Sequence, residues 1–172
     1  MVNLAFVYLS LIFLLALAGA LRGWAKEILV TFGIILAIFL ISLFEQFVPI
    51  LRDYMNAPGK GYFIFRLIIV LLVLFIAYQT PSFSRLQRGG DRFRRASFPD
   101  TLLGFFLGML NGYMIVGTVW FYLQQAGYPF EFMSPPDPNL SFLAWLPPMF
   151  LNGPVLWAIF AFLAVVVLVV FV

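Results

Sequence analysis

Two side chains are missing from this sequence altogether: there is no cysteine and no histidine among its 172 residues. Their absence excludes disulfides, thiol chemistry, Cys/His zinc sites and any mechanism built on an imidazole. It also removes the usual axial ligands of haem. Charge is scarce as well, at 10% of residues. A soluble domain carries roughly 25%, so this chain cannot cover a water-facing surface. What is there instead is hydrocarbon: 64% of the residues are hydrophobic, and the mean hydropathy is +1.06. The composition is that of an integral membrane protein, with an all-α, polytopic helix bundle as the expected fold.

A bilayer core about 30 Å thick needs about 20 apolar residues in a helix. Val2–Leu21, Ile28–Phe47, Tyr62–Tyr78 and Thr101–Leu123 meet that length, and Pro154–Val172 supplies a fifth, C-terminal span opening on a proline. Residues 2–47 contain no proline, but one helix over that run would be roughly 65 Å long, twice the bilayer core. A break near Arg22–Glu27 is expected. The apolar run at 1–20 resembles a signal peptide only in its small residues, Ala16 to Ala20. No basic residue precedes it, and it reads as a retained first span.

Basic residues set the sidedness. Arg22 and Lys26 lie between the first two spans, and Arg85, Arg88, Arg92, Arg94 and Arg95 follow the third. The segment after the fourth span has Glu131 and Asp137 and no basic residue. The positive-inside rule then places the N-terminus outside and, with five spans, the C-terminus inside. The five arginines are candidate contacts for anionic lipid headgroups, at about 1 kcal/mol each, although a topology signal in a solvated loop is the simpler reading. Membrane lipid, not nucleic acid, is the expected partner of that loop. Residues 44–61 mix Phe47, Ile50, Leu51 and Tyr54 with Glu45, Arg52 and Asp53, and should lie along the outer interface. Gln124–Gly153 holds six of the eleven prolines together with many aromatics. Such a backbone cannot face lipid at depth, so it should form an extracytoplasmic lid. The expected division is 1–125 for four spans, 126–153 for the lid and 154–172 for the last helix.

The run LGFFLGMLNG at 103–112 repeats glycine at every fourth place. On a helix, Gly104, Gly108, Asn111 and Gly112 share one face, the small-residue pattern that lets membrane helices approach closely. Gly33 and Ala37 of the second span are the favoured partners, with Ala16, Gly19, Ala20 and Gly23 of the first as the alternative. Asn111 should bond a neighbouring carbonyl and fix packing. Asp100 is expected at the N-cap of the fourth span. Arg22, Lys26, Glu27 and Asp100 reach the cytoplasmic edge together, so Asp100 should accept from Arg22 or Lys26, and Glu27 should find a basic neighbour.

The sequence Asp100-Thr-Leu-Leu-Gly104-Phe-Phe-Leu-Gly108-Met-Leu-Asn111-Gly112 resembles the D-R-x-L-G-x-x-F-G-x-x-R-G motif of the colicin V production (CvpA) family. Gly19-Ala-Leu-Arg22-Gly23-Trp-Ala-Lys26-Glu27 is similar to that family's G-x-x-R-G-x-x-R/K-E. Gly33 and Phe47-Val48-Pro49 also fall in place. The resemblance covers roughly residues 1–125 and departs at Thr101 and Asn111, where the family has arginine. It implies a small bacterial inner-membrane protein linked to toxin production, secretion or envelope homeostasis.

Catalysis is the class the residues support least, since none of the seven carboxylates sits mid-span; no catalytic, cofactor or metal site is expected. Arg66, about one turn into the third span, is either an anion-attracting or partner-pairing charge or, as the favoured reading, a side chain snorkelling to the outer interface. Two functions stand: a CvpA-like protein assisting export or envelope maintenance, alone or as a homo-oligomer, and a structural subunit of a larger respiratory or photosynthetic complex.

Overall fold

A computed structural model describes residues 4–49, 59–79, 98–131 and 144–171. The arginines at 85, 88, 92, 94 and 95, and most of the proline-rich segment, lie outside the described residues. Among the described residues six helices follow in order: α1 (Leu4–Arg22), α2 (Trp24–Phe47), α3 (Lys60–Gln79), α4 (Phe98–Gln125), the short α5 (Pro147–Phe150) and α6 (Gly153–Phe171). The first four are long and apolar enough to cross a membrane. The chain is an all-α polytopic membrane helix bundle.

The expected break between the first two spans is one residue wide. Gly23, at φ 83° and ψ 157°, separates α1 from α2. That backbone region is open to glycine and strained for any L side chain. A Cβ there would also lie 3.4 Å from both carboxylate oxygens of Asp100.

α1 packs antiparallel along α4, and this is where the glycine face goes. A Cβ on Gly104 would lie 2.5 Å from the carbonyl oxygen of Gly19, and one on Gly108 would lie 2.6 Å from that of Leu15. One on Gly112 would stand 3.0 Å from Cα of Ile12. The two backbones touch, which only bare positions allow. The favoured pairing with Gly33 and Ala37 is therefore corrected. Gly33 faces Ala77 of α3, whose Cβ lies 2.6 Å from where its own would be, and Ala37 is buried in the core. The physical reason lies in what α2 turns toward α4: Glu27 and Thr31, side chains that hold the helices apart by hydrogen bonding. α1 presents Ala16 and Gly19 instead. The small-residue seam continues beyond the motif, because Gly117 receives the ring of Pro147 from α5.

α2 is the central helix, between α3 and α4 with α6 alongside. Val30, Ile34, Ala37, Ile38 and Ile41 form its buried stripe, met by Val70, Val73 and Leu74 of α3 and Met114 of α4. α6 joins through Phe160, stacked on Phe39 at 4.0 Å and 6°, and Trp157, edge-on to the same ring at 5.0 Å. On the other side of α4, Tyr8 meets Trp120 edge-on at 5.3 Å. α4 is already helical at Phe98, with Pro99 in its first turn, where proline's missing N–H costs nothing. Asp100 thus lies inside the first turn and is not the N-cap; it still complements the positive end of the helix dipole.

Candidate functional site

Polar side chains enter the bundle at two levels, one near each end of α2. At the Gly23 end, Glu27 is 1% exposed. Arg22 pairs with its Oε1 at 2.7 Å, and Asn111 donates from Nδ2 to its Oε2 at 2.9 Å and to its main-chain oxygen at 2.8 Å. Thr31 Oγ donates to Asn111 Oδ1 at 2.7 Å and lies 3.0 Å from the Glu27 carbonyl. The Arg22 guanidinium also rests over the Tyr78 ring at 4.3 Å. α1 and α4 are pinned to α2 in this way, α3 meets Arg22 of α1 through Tyr78, and both polar atoms of the Asn111 amide are bonded. The arrangement is a clamp.

The expected charge cluster forms only in part. Glu27 meets its basic neighbour, Arg22. Asp100 does not accept from Arg22 or Lys26: among the described residues neither forms an ion pair with it. Arg22 follows the buried Glu27 because a desolvated carboxylate needs a counter-charge more than one at the helix end. Lys26 is exposed.

At the other end of α2, Arg66 overturns its expected role. It does not snorkel; it is 4% exposed and turned into the bundle. Nη2 pairs with Glu45 Oε1 on the last turn of α2, and Nη1 donates to Oε1 of Gln125, the last residue of α4. Tyr62 Oη donates to the same Gln125 oxygen at 2.6 Å. The guanidinium lies 4.0 Å from the Tyr62 ring and 4.6 Å from the Tyr122 ring. Aromatic faces stabilise a desolvated cation. Nε remains buried without a hydrogen-bond partner among the described residues. Arg66, Glu45 and Gln125 line a cavity of about 250 Å³, whose wall continues through Ile41, Tyr122 and Leu151.

Just past α4, Gly127 at φ 73° and Tyr128 at φ 53° turn the chain back. The Tyr128 hydroxyl accepts from Trp120 Nε1 at 3.1 Å. Burial pushes the Tyr128 phenol above its ordinary range, against the opposing effect of that hydrogen bond.

Glu45, Gln125, Tyr62 and Tyr122 are site residues that sequence reasoning passed over. A signal existed for Glu45: it stands three and four residues beyond Ser42 and Ile41 and seven beyond Ile38, on the buried stripe of α2. Arg66 likewise shares a face with Phe63, Val70 and Val73, all buried.

Four membrane-length helices closing over two ion pairs, each with one buried member, define a polytopic α-helical membrane protein with a charged interior site. Within that class the chain belongs to the colicin V production protein family, whose family model matches residues 4–135. The match takes in all four long helices and every residue of both polar levels. It also enters the proline-rich segment, which the motifs alone left outside. No curated protein and no solved structure matches the chain. Position 111, where the family motif carries arginine, faces the Glu27 carboxylate. Here Arg22 supplies the positive charge and Asn111 a neutral donor.

Proposed function

We propose that this protein assists toxin export or envelope homeostasis from the bacterial inner membrane, without catalysing a covalent reaction, and that the Arg66 cavity is its working site. The observation that carries this reading is the burial of the Arg66 guanidinium within the bundle, paired with a partly exposed Glu45 beside a cavity. Ionisable groups are rare inside membrane bundles because they are costly there, and where they occur they mark ligand or ion pathways. The Glu27 clamp also buries an ionisable group, but its carboxylate oxygens and the Asn111 amide are engaged by the protein itself. In this reading α6 is a fifth span, the N-terminus is outside and the C-terminus inside, so that the Arg66 end of the bundle faces the extracytoplasmic side. The bundle works as a homo-oligomer in contact with lipid, with residues 126–153 as its cap.

Complementation tests the reading. In a strain lacking the gene, the native protein and a Lys60→Gln control should restore secretion of a small peptide toxin and resistance to detergent. Arg66→Lys, present in the membrane at equal level, should restore neither. Full restoration by Arg66→Lys would remove the cavity from the function. Purification in mild detergent addresses the assembly: a homo-oligomer is expected, and stoichiometric foreign subunits would replace this reading with that of an accessory subunit.

A further inference from the structure

The Arg66 cavity is chemically divided. Ile38, Ile41, Leu151 and Leu156 give it hydrocarbon walls, while the guanidinium is the only cation that lines it among the described residues. At about 250 Å³ it is slightly below the usual range for drug-sized ligands, and suits a small organic molecule better than a lipid.

The guanidinium itself indicates what is missing. Nε and Nη2 form one of the two edges by which an arginine grips a planar two-oxygen anion with parallel hydrogen bonds, and the other edge is taken by Gln125 and Glu45. Of the Nε–Nη2 edge, Glu45 takes only the Nη2 half, through Oε1. The Nε–H is buried with no hydrogen-bond partner among the described residues, an arrangement that costs free energy unless something else satisfies it. Glu45 is also the partner best placed to withdraw, with its side chain 33% exposed against 5% for Arg66.

We propose that the cavity binds a small monocarboxylate with a short apolar body. Its two oxygens take Nε and Nη2 of Arg66 in place of Glu45, and its hydrocarbon lies against Ile38, Ile41 and Leu151. Glu45 is then an internal competitor that keeps the arginine compensated when the cavity holds no ligand. The proposal rests on reading the Arg66 cavity as the working site, and adds the ligand class.

Hexanoate is the probe, titrated by ligand-observed NMR onto the full chain in zwitterionic nanodiscs. Saturable binding is expected, with hexanamide about tenfold weaker for want of a charge-assisted pair, and inorganic phosphate weaker still for want of an apolar body. Arg66→Lys keeps the charge but loses the fork, and should weaken hexanoate about tenfold. Glu45→Gln removes the competitor and should tighten it; as it keeps an acceptor for Nη2, it remains informative if the lysine variant fails to fold. Equal binding by the native protein and Arg66→Lys would overturn the proposal, as would weaker binding by Glu45→Gln or displacement of hexanoate by phosphatidylglycerol added to the nanodiscs. Absence of hexanoate binding beside a complementation defect in Arg66→Lys would overturn the ligand class alone and leave the working site standing.

Discussion

Asn111 holds Glu27 by its main chain and its side chain at once, with Nδ2 2.8 Å from the carbonyl oxygen and 2.9 Å from Oε2. One amide therefore fixes both the height of α4 along α2 and the direction of a buried carboxylate. Asn111→Ala should cost about 1–3 kcal/mol, because it leaves the buried Glu27 Oε2 short of a partner. Asn111→Asp should cost more, as it sets a second carboxylate against the first. Glu27→Gln in the same chain should recover part of that loss. Reversible unfolding in micelles measures all three, and additivity of the last pair would show that the two side chains do not interact.

Gly108→Leu should separate α1 from α4. The first added carbon already lies 2.6 Å from the Leu15 carbonyl, and a backbone cannot yield as a side chain can. Overpacking of this kind costs about 1–3 kcal/mol or more. Reversible unfolding in micelles measures the loss. Unchanged stability would mean that the seam is looser than it stands here.

Asp100→Asn should be close to neutral, within about 0.5 kcal/mol, since among the described residues the carboxylate has no ion pair to lose and it complements the helix dipole. Arg22→Asp should be severe by contrast, because it strips Glu27 of its counter-charge and adds a like one. If the Asp100 variant proved as damaging as the Arg22 variant, the division of labour between these two charges would be wrong.

Single cysteines at Ser84 and Ser141 should label from opposite faces of the membrane, with Ser141 reacting in intact cells. Labelling of both from one side would invert or break the proposed topology.

Much of this architecture is legible from spacing. The excess length of residues 2–47 demands a break, and Gly23 is the residue that can make it. The recurrence of glycine through 104–112 demands a backbone-close neighbour. Which neighbour is a different matter: Gly33 and Ala37 on α2 and Ala16 and Gly19 on α1 offer the same small surface, and periodicity carries no information on rotation about the helix axis. The polar partners of Asn111 on α2 decide it, and they are visible only once the helices are set side by side. Arg66 shows the same limit. Its position one turn inside a span fits a snorkelling side chain equally well, and its burial depends on Glu45 and Gln125, each remote in sequence. Those residues meet only because α2 and α4 end where α3 begins.

The pairing of α1 with α4 has a consequence for biogenesis. Gly19 and its contact at Gly104 are roughly 85 residues apart, which at 5–20 residues per second means a wait of roughly 4–17 s between their syntheses. Throughout that interval the first helix is in the bilayer with its bare seam covered only by lipid tails, and its final partner has not left the ribosome. The hairpin of α1 and α2 must therefore insert as a provisional unit, and the fourth helix, arriving last of the four, closes the seam and the clamp in a single docking event.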